Sequence, residues 1–123
     1  VMALLQEKIV KAIEGGVSTV GATAEIKFIK ELPAAELDED MTNLLAETIT
    51  DVMGKDALLA PFKTAGGEDF FFYTRHKPSI KAGFFGLGVN ATPGLHHPDM
   101  HFDTDALETG VTIFKTAVKK ILG

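Results

Sequence analysis

The stretch that most limits how this chain can fold is Ala82-Gly83-Phe84-Phe85-Gly86-Leu87-Gly88, a short run that is apolar on both faces and bounded by loop signals. Such a run reads as a central strand, which needs cover on both of its faces. The neighbouring patterns supply helices to cover it. Asp38 is a candidate N-cap, and Glu39 and Asp40 put negative charge in a first turn, where the helix dipole favours it. Met41, Leu44, Leu45, Thr48, Ile49, Val52 and Met53 then fall on one face, and Gly54 stands where a C-terminal glycine cap belongs. At the far end Asp103 or Thr104 is expected to cap a helix with the stripe Leu107, Val111, Phe114, Ala117, Val118, Ile121 and Leu122. Lys115, Lys119 and Lys120 complement its C-terminal dipole.

Upstream, Val1, Leu4, Leu5, Ile9, Ile13, Val17 and Val20 recur at three- and four-residue steps, so a helix is expected from Val1 to about Val20, weakened by Gly15-Gly16 and ended by Gly21. Its apolar spacing begins at the first residue, with no initiating Met and no capping side chain, and the chain is therefore expected to be the C-terminal piece of a longer protein. Ala24 to Lys30 alternates polar with apolar around Ile26 and Phe28, the pattern of a strand with one wet face, and Leu32-Pro33 stops it. Leu58-Leu59-Ala60-Pro61 reads as a short buried strand or loop, Thr64-Ala65-Gly66-Gly67 as a flexible turn, and Glu68 to Arg75 as one or two helical turns. Strands and helices alternate, so an α/β layer architecture is expected, with ligands in loops at strand ends.

Composition narrows the partners. Among 123 residues, 46% are hydrophobic, enough for a real core, while 17 acidic against 12 basic residues and the lack of a basic stripe argue against nucleic acid or an anionic membrane surface. Zero cysteines exclude a disulfide or a thiolate metal site within the chain and fit a reducing compartment, so the cytoplasm is expected. No run of about 18 apolar residues could span a bilayer.

Three of the four histidines lie in Gly94-Leu95-His96-His97-Pro98-Asp99-Met100-His101-Phe102-Asp103. Pro98 disfavours helix at His97 and lacks a donor, so the stretch reads as a loop whose imidazoles can face a ligand or simply face water. If the backbone is extended there, His96 and His97 point to opposite sides and only one can face a given ligand.

Taken in order, Gly66-Gly67-Glu68-Asp69-Phe70 with Tyr73 and Pro78, Phe85-Gly86-Leu87-Gly88, Leu95-His96-His97-Pro98, Phe102-Asp103, Ala106-Leu107 and Gly110 resemble the C-terminal portion of the aminoacylase and carboxypeptidase family of metallopeptidases, in its amidohydrolase branch with auxin-conjugate hydrolases and N-acyl-amino-acid deacylases. The resemblance runs over essentially the whole chain. It implies a catalytic α/β domain holding two divalent metals, zinc with manganese as the alternative, and an inserted α+β lid that dimerises. Residues 1–33 would then be the last helix and strand of the lid, and 34–123 the C-terminal part of the catalytic domain. A homodimer acting on N-acyl amino acids or small peptides is implied.

Residue by residue, the resemblance makes His96 a metal ligand and puts His97 at the variable position behind it, as a support for the site or a solvated side chain. Gly66 and Gly67 would let backbone approach the substrate, and Glu68 and Asp69 would shape the active-site wall. His76 and His101 fall outside the pattern and read as surface histidines. The chain lacks the family's upstream ligands and the paired glutamates that supply its general base, so no catalytic base is expected within it and the isolated piece should be inactive. The competing reading is a stand-alone interaction module that docks through the face of its first helix.

Overall fold

A computed structural model describes residues 1–29, 32–64 and 66–123. Two units divide the chain, Val1–Glu31 and Leu32–Gly123.

In the first unit, helix α1 spans Met2–Ser18 and runs through Gly15 and Gly16 without a break. Ser18 and Thr19 donate their hydroxyls back to the Gly15 and Gly16 carbonyls, at 2.9 and 2.7 Å, which replaces turn contacts that the glycines cannot make with side chains. Gly21, at φ 68, ends it. The apolar face of α1 is open, with Leu4, Leu5, Ile9 and Ile13 all exposed. The strand expected from Ala24 to Lys30 does not form at residues 24–29, and Lys30 lies outside the described residues. The alternation is present in the sequence, but a strand exists only as one side of a hydrogen-bonded ladder, and no partner meets it among the described residues.

The second unit is built on two helices, α2 at Glu39–Met53 and α4 at Ala106–Leu122. The Asp38 carboxylate accepts from the Met41 amide at 3.0 Å, the capping geometry that its position predicts, and Gly54 closes the helix at φ 88. Where α2 and α4 pack together, the buried side chains are Thr48, Ile113 and Ala117, with Ile113 only 1% exposed. The Thr48 hydroxyl donates to the Leu44 carbonyl at 2.7 Å, so its burial leaves no polar group unpaired. Lys120 and Asp51 tie the same two helices at 2.6 Å.

The central strand expected at Ala82–Gly88 is not one: among the described residues there is no strand, and the α/β layering reduces to helices against an unpaired segment. That segment nevertheless keeps the burial rhythm of a strand. Gly83, Phe85, Leu87 and Val89 are half-buried, while Phe84, Gly86, Gly88 and Asn90 between them are exposed. Phe85 packs on Phe114 with ring centroids 5.3 Å apart, and Leu87 lies over Gly110, where an added Cβ would come within 3.1 Å of it. Gly83 lies under α2, with room for no side chain: a Cβ there would meet Leu45 at 2.6 Å and the Met41 carbonyl at 3.2 Å. On its other side Phe84 meets Phe70 and Phe71 at 5.6 and 5.8 Å. Those aromatics lie on a 3₁₀ turn at Asp69–Phe71 that continues into α3, Phe72–His76, the one or two helical turns that the sequence predicts.

Two local expectations differ. Leu58 to Pro61 is not buried; it follows a 3₁₀ turn at Lys55–Ala57, and Leu59 is 82% exposed, because no apolar layer lies over it. Neither Asp103 nor Thr104 is the N-cap of α4, a place taken by Asp105 without a side-chain hydrogen bond. Asp103 instead accepts from the Asp105 amide at 3.0 Å, and the Thr104 carbonyl from Leu107 at 3.1 Å, so the pair secures the turn before the helix.

Helix α4 carries a second apolar stripe that stays largely open among the described residues, with Leu107, Val111, Phe114, Val118 and Ile121 all exposed and Phe85 packed against Phe114. The core is small because much of the apolar surface that would build it faces outward.

Lys81 joins the 82–90 segment to the start of α2, with its ammonium 2.5 Å from Asp40 and 3.7 Å from Asp38. The hydrogen bond and charge of Lys81 hold the Asp40 carboxyl below its ordinary range, and Asp40 with Asp38 pushes the Lys81 ammonium up. A depressed carboxylate stabilises the fold above its unfolded pKa and loses that effect as pH falls through the folded value; a raised ammonium loses its effect as pH rises through its own folded value. Lys81→Met should therefore lower the thermal midpoint slightly near neutrality, with the difference from the parent vanishing at both the acid and the alkaline extreme; thermal scans across pH check it.

Candidate functional site

The histidine loop is pinned at its base. Thr92 and His101 exchange both backbone hydrogen bonds at 3.0 Å, an isolated antiparallel bridge, and the Asp103 amide donates to the Val89 carbonyl at 2.8 Å. In straight register with that bridge Asp103 would face Asn90; it bonds to Val89 instead, and Asn90 takes the left-handed conformation at φ 51 that such an extra residue adopts. The Thr92–Pro93 peptide is cis.

Inside the bridge two turns share His97: its amide donates to the Gly94 carbonyl at 3.3 Å, and its carbonyl accepts from Met100 at 3.0 Å. His96 is the third residue of the first turn and stands at φ 66. A turn with positive φ at that position normally takes glycine or asparagine, and histidine is among the other residues that enter this region. The extended backbone expected through His96 and His97 is therefore absent, replaced by a left-handed turn at His96.

The histidines then differ in what they touch. The His96 imidazole is exposed and makes no hydrogen bond. His97 Nδ1 accepts from the Asp99 amide at 3.1 Å, and His101 Nδ1 lies 3.3 Å from the Asp99 carbonyl. His76 stacks on Phe72 at 6.1 Å, away from any ligand role.

Gly66, Gly67, Glu68 and Asp69 form the entry to the 3₁₀ turn before α3. The Gly66 amide donates to the Thr64 hydroxyl at 3.1 Å. At Gly67 a Cβ would stand 2.6 Å from Leu32 Cδ1, so the close approach this glycine permits is to Leu32. The Glu68 and Asp69 carboxylates cap nothing and are exposed, free to face a ligand. Among the described residues no hydrogen bond, ion pair or ring contact joins this turn to the histidine loop, and none of the sequence-predicted site residues gather into a group of three metal-binding side chains.

What this donor set fits is one corner of a metal site. His96 offers an unpaired imidazole on a pinned loop, as a ligand needs, while a catalytic metal takes about three protein ligands. Sequence reasoning left out Asp99, whose backbone organises the loop; the His97-x-Asp99 spacing, that of a side chain accepting from the amide two residues on, is the signal that could have found it.

Comparisons with known proteins cover most of the chain. The profile of peptidase family M20/M25/M40 matches residues 3–120. A Synechocystis sp. protein named a probable hydrolase is 32% identical over 114 residues, 85% of this chain and 28% of that protein. An uncharacterized hydrolase of Sinorhizobium fredii is 29% identical over 104 residues, 85% of this chain and 26% of its own length. The N-acetyldiaminopimelate deacetylase of Bacillus pumilus is 28% identical over 120 residues, 95% of this chain and 31% of that enzyme. The chain thus spans less than a third of the relatives it matches. No solved structure matches it.

Proposed function

The chain belongs to peptidase family M20/M25/M40, and from that premise we propose that it is the C-terminal part of a metal-dependent amidohydrolase that cleaves the amide bond of N-acyl amino acids or small peptides. The observation that carries the reading is His96, an exposed imidazole without a hydrogen-bond partner, fixed at φ 66 on a loop pinned by the Thr92–His101 bridge. The name of the Bacillus pumilus relative supports an N-acyl substrate. In the complete protein His96 would supply one ligand to a zinc centre, with manganese as the alternative. When bound, such an ion supplies Lewis acidity and an activated water.

Gly66, Gly67, Glu68 and Asp69 would form part of the wall around the substrate, and the general base would come from outside this chain. Residues 1–33 would end an inserted lid, with the open face of α1 contributing to a homodimer, and residues 34–123 would complete the catalytic domain. Among the described residues no helix is long and apolar enough to cross a membrane, and a cytoplasmic enzyme is the reading we adopt. An interaction module would also present open apolar faces on α1 and α4, so the test must be chemical. The full-length protein should hydrolyse members of an N-acetyl-amino-acid panel, lose that activity on chelation and regain it with zinc or manganese; this chain alone should show no turnover. Chelator-resistant turnover, or turnover by this chain alone, would contradict the proposal.

A further inference from the structure

Asp99 is held from both sides. Its amide points at Nδ1 of His97 at 3.1 Å, and its carbonyl is met by Nδ1 of His101 at 3.3 Å. A backbone amide can only donate and a carbonyl can only accept, so the two rings must carry their protons on different nitrogens: Nε2 in His97, Nδ1 in His101. The Asp99 carboxylate also lies 4.0 Å from His97 Nδ1. An ion pair there would need a proton on Nδ1 and would cost the shorter contact to the amide, so Nδ1 is the accepting nitrogen in this geometry.

We propose that His97 and His101 are positioning residues, gripping Asp99 by its N–H and its C=O with opposite tautomers, and that this grip holds the turn that follows His96 and shares His97 with the turn presenting it. The inference rests on the reading of His96 as a ligand only for its last step; the grip is a property of the loop itself. Three observations converge on it. The turn gains from support, since His96 occupies a left-handed conformation that is uncommon outside glycine. The two braces bracket the turn that follows His96, from His97 to His101. His101 is also one end of the backbone bridge to Thr92, so the side-chain brace and the loop closure share a residue. His97 thus acts through an acceptor two residues before an amide, a role that an asparagine side chain can fill. His101 leaves Nε2 bare and is the competing ligand, an outcome the test must be able to detect.

Long-range proton–nitrogen NMR on the full-length protein with labelled histidine, recorded with zinc and after chelation, reads the tautomers directly. His97 should carry its proton on Nε2 and His101 on Nδ1 in both states. Zinc affinity, measured by competition with a chromophoric chelator, should fall about tenfold in His97→Ala and in His101→Phe, and stay within about twofold of the parent in His97→Asn. Either tautomer reversed, His97→Asn as weak as His97→Ala, or a zinc-dependent shift at His101 Nε2 would overturn the proposal. Should His96→Ala keep its zinc, the ligand reading falls instead, and the tautomers with Asp99 amide exchange in His97→Ala and His97→Asn still decide the grip. That exchange should quicken about fivefold in His97→Ala and remain slow in His97→Asn.

Discussion

Replacing His96 with alanine in the full-length protein is expected, on the proposed function, to empty one metal position and to lower turnover by about a thousandfold. That figure is what remains when a Lewis acid contributing roughly 4 kcal/mol to the transition state is lost, at about 1.4 kcal/mol per tenfold. His97→Ala is expected to keep the metal and lose about tenfold, the scale of a change behind a ligand. The contrast follows from what each ring touches. His96 is exposed and unbonded, while His97 is committed to the Asp99 amide. Elemental analysis beside turnover for both variants checks it; a site emptied by His97→Ala and kept by His96→Ala would reverse the assignment.

The second large effect concerns α4 and stability. Ile113 is 1% exposed between α4 and α2, and Ile113→Ala should cost about 3 kcal/mol by removing buried methyl groups and leaving a cavity. Val118, on the open stripe, is 50% exposed, so Val118→Ala should cost under about 1 kcal/mol in this chain. In the full-length protein the same Val118→Ala should become clearly destabilising if other parts of the enzyme cover that stripe. Urea unfolding of the two variants in both contexts measures this, and equal costs for Ile113→Ala and Val118→Ala in this chain would show that the buried face of α4 is misidentified.

The helices were legible because their signals are local. Asp38, the acidic first turn and Gly54 fix α2 within a residue or two, and the stripe of α4 is periodic from Leu107 to Leu122. That stripe read from the sequence is not the face the chain buries: of its residues only Ala117 is buried, while Ile113 and Gly110, outside it, go inward and Leu107, Val111, Phe114, Val118, Ile121 and Leu122 stay out. Periodicity reports which residues are apolar, and cannot say which neighbour arrives to cover them. The strands at Ala24–Lys30 and Ala82–Gly88 were overread for the same reason, since their patterns specify a buried edge and the ladder that would complete it is not local. In the candidate site the identity of the loop followed from Pro98 and the histidine cluster. The left-handed turn at His96 and the grip on Asp99 did not, because both depend on hydrogen bonds closed by Thr92 and His101 around the loop.

The central claim is that His96 is a ligand of a catalytic metal, and the measurement closest to it is anomalous scattering at the zinc edge from crystals of the full-length protein loaded with zinc. The account predicts a peak about 2.0–2.1 Å from a ring nitrogen of His96, with His97 Nδ1 still facing the Asp99 amide. A peak bound by His97 or His101 with His96 turned to solvent would contradict it.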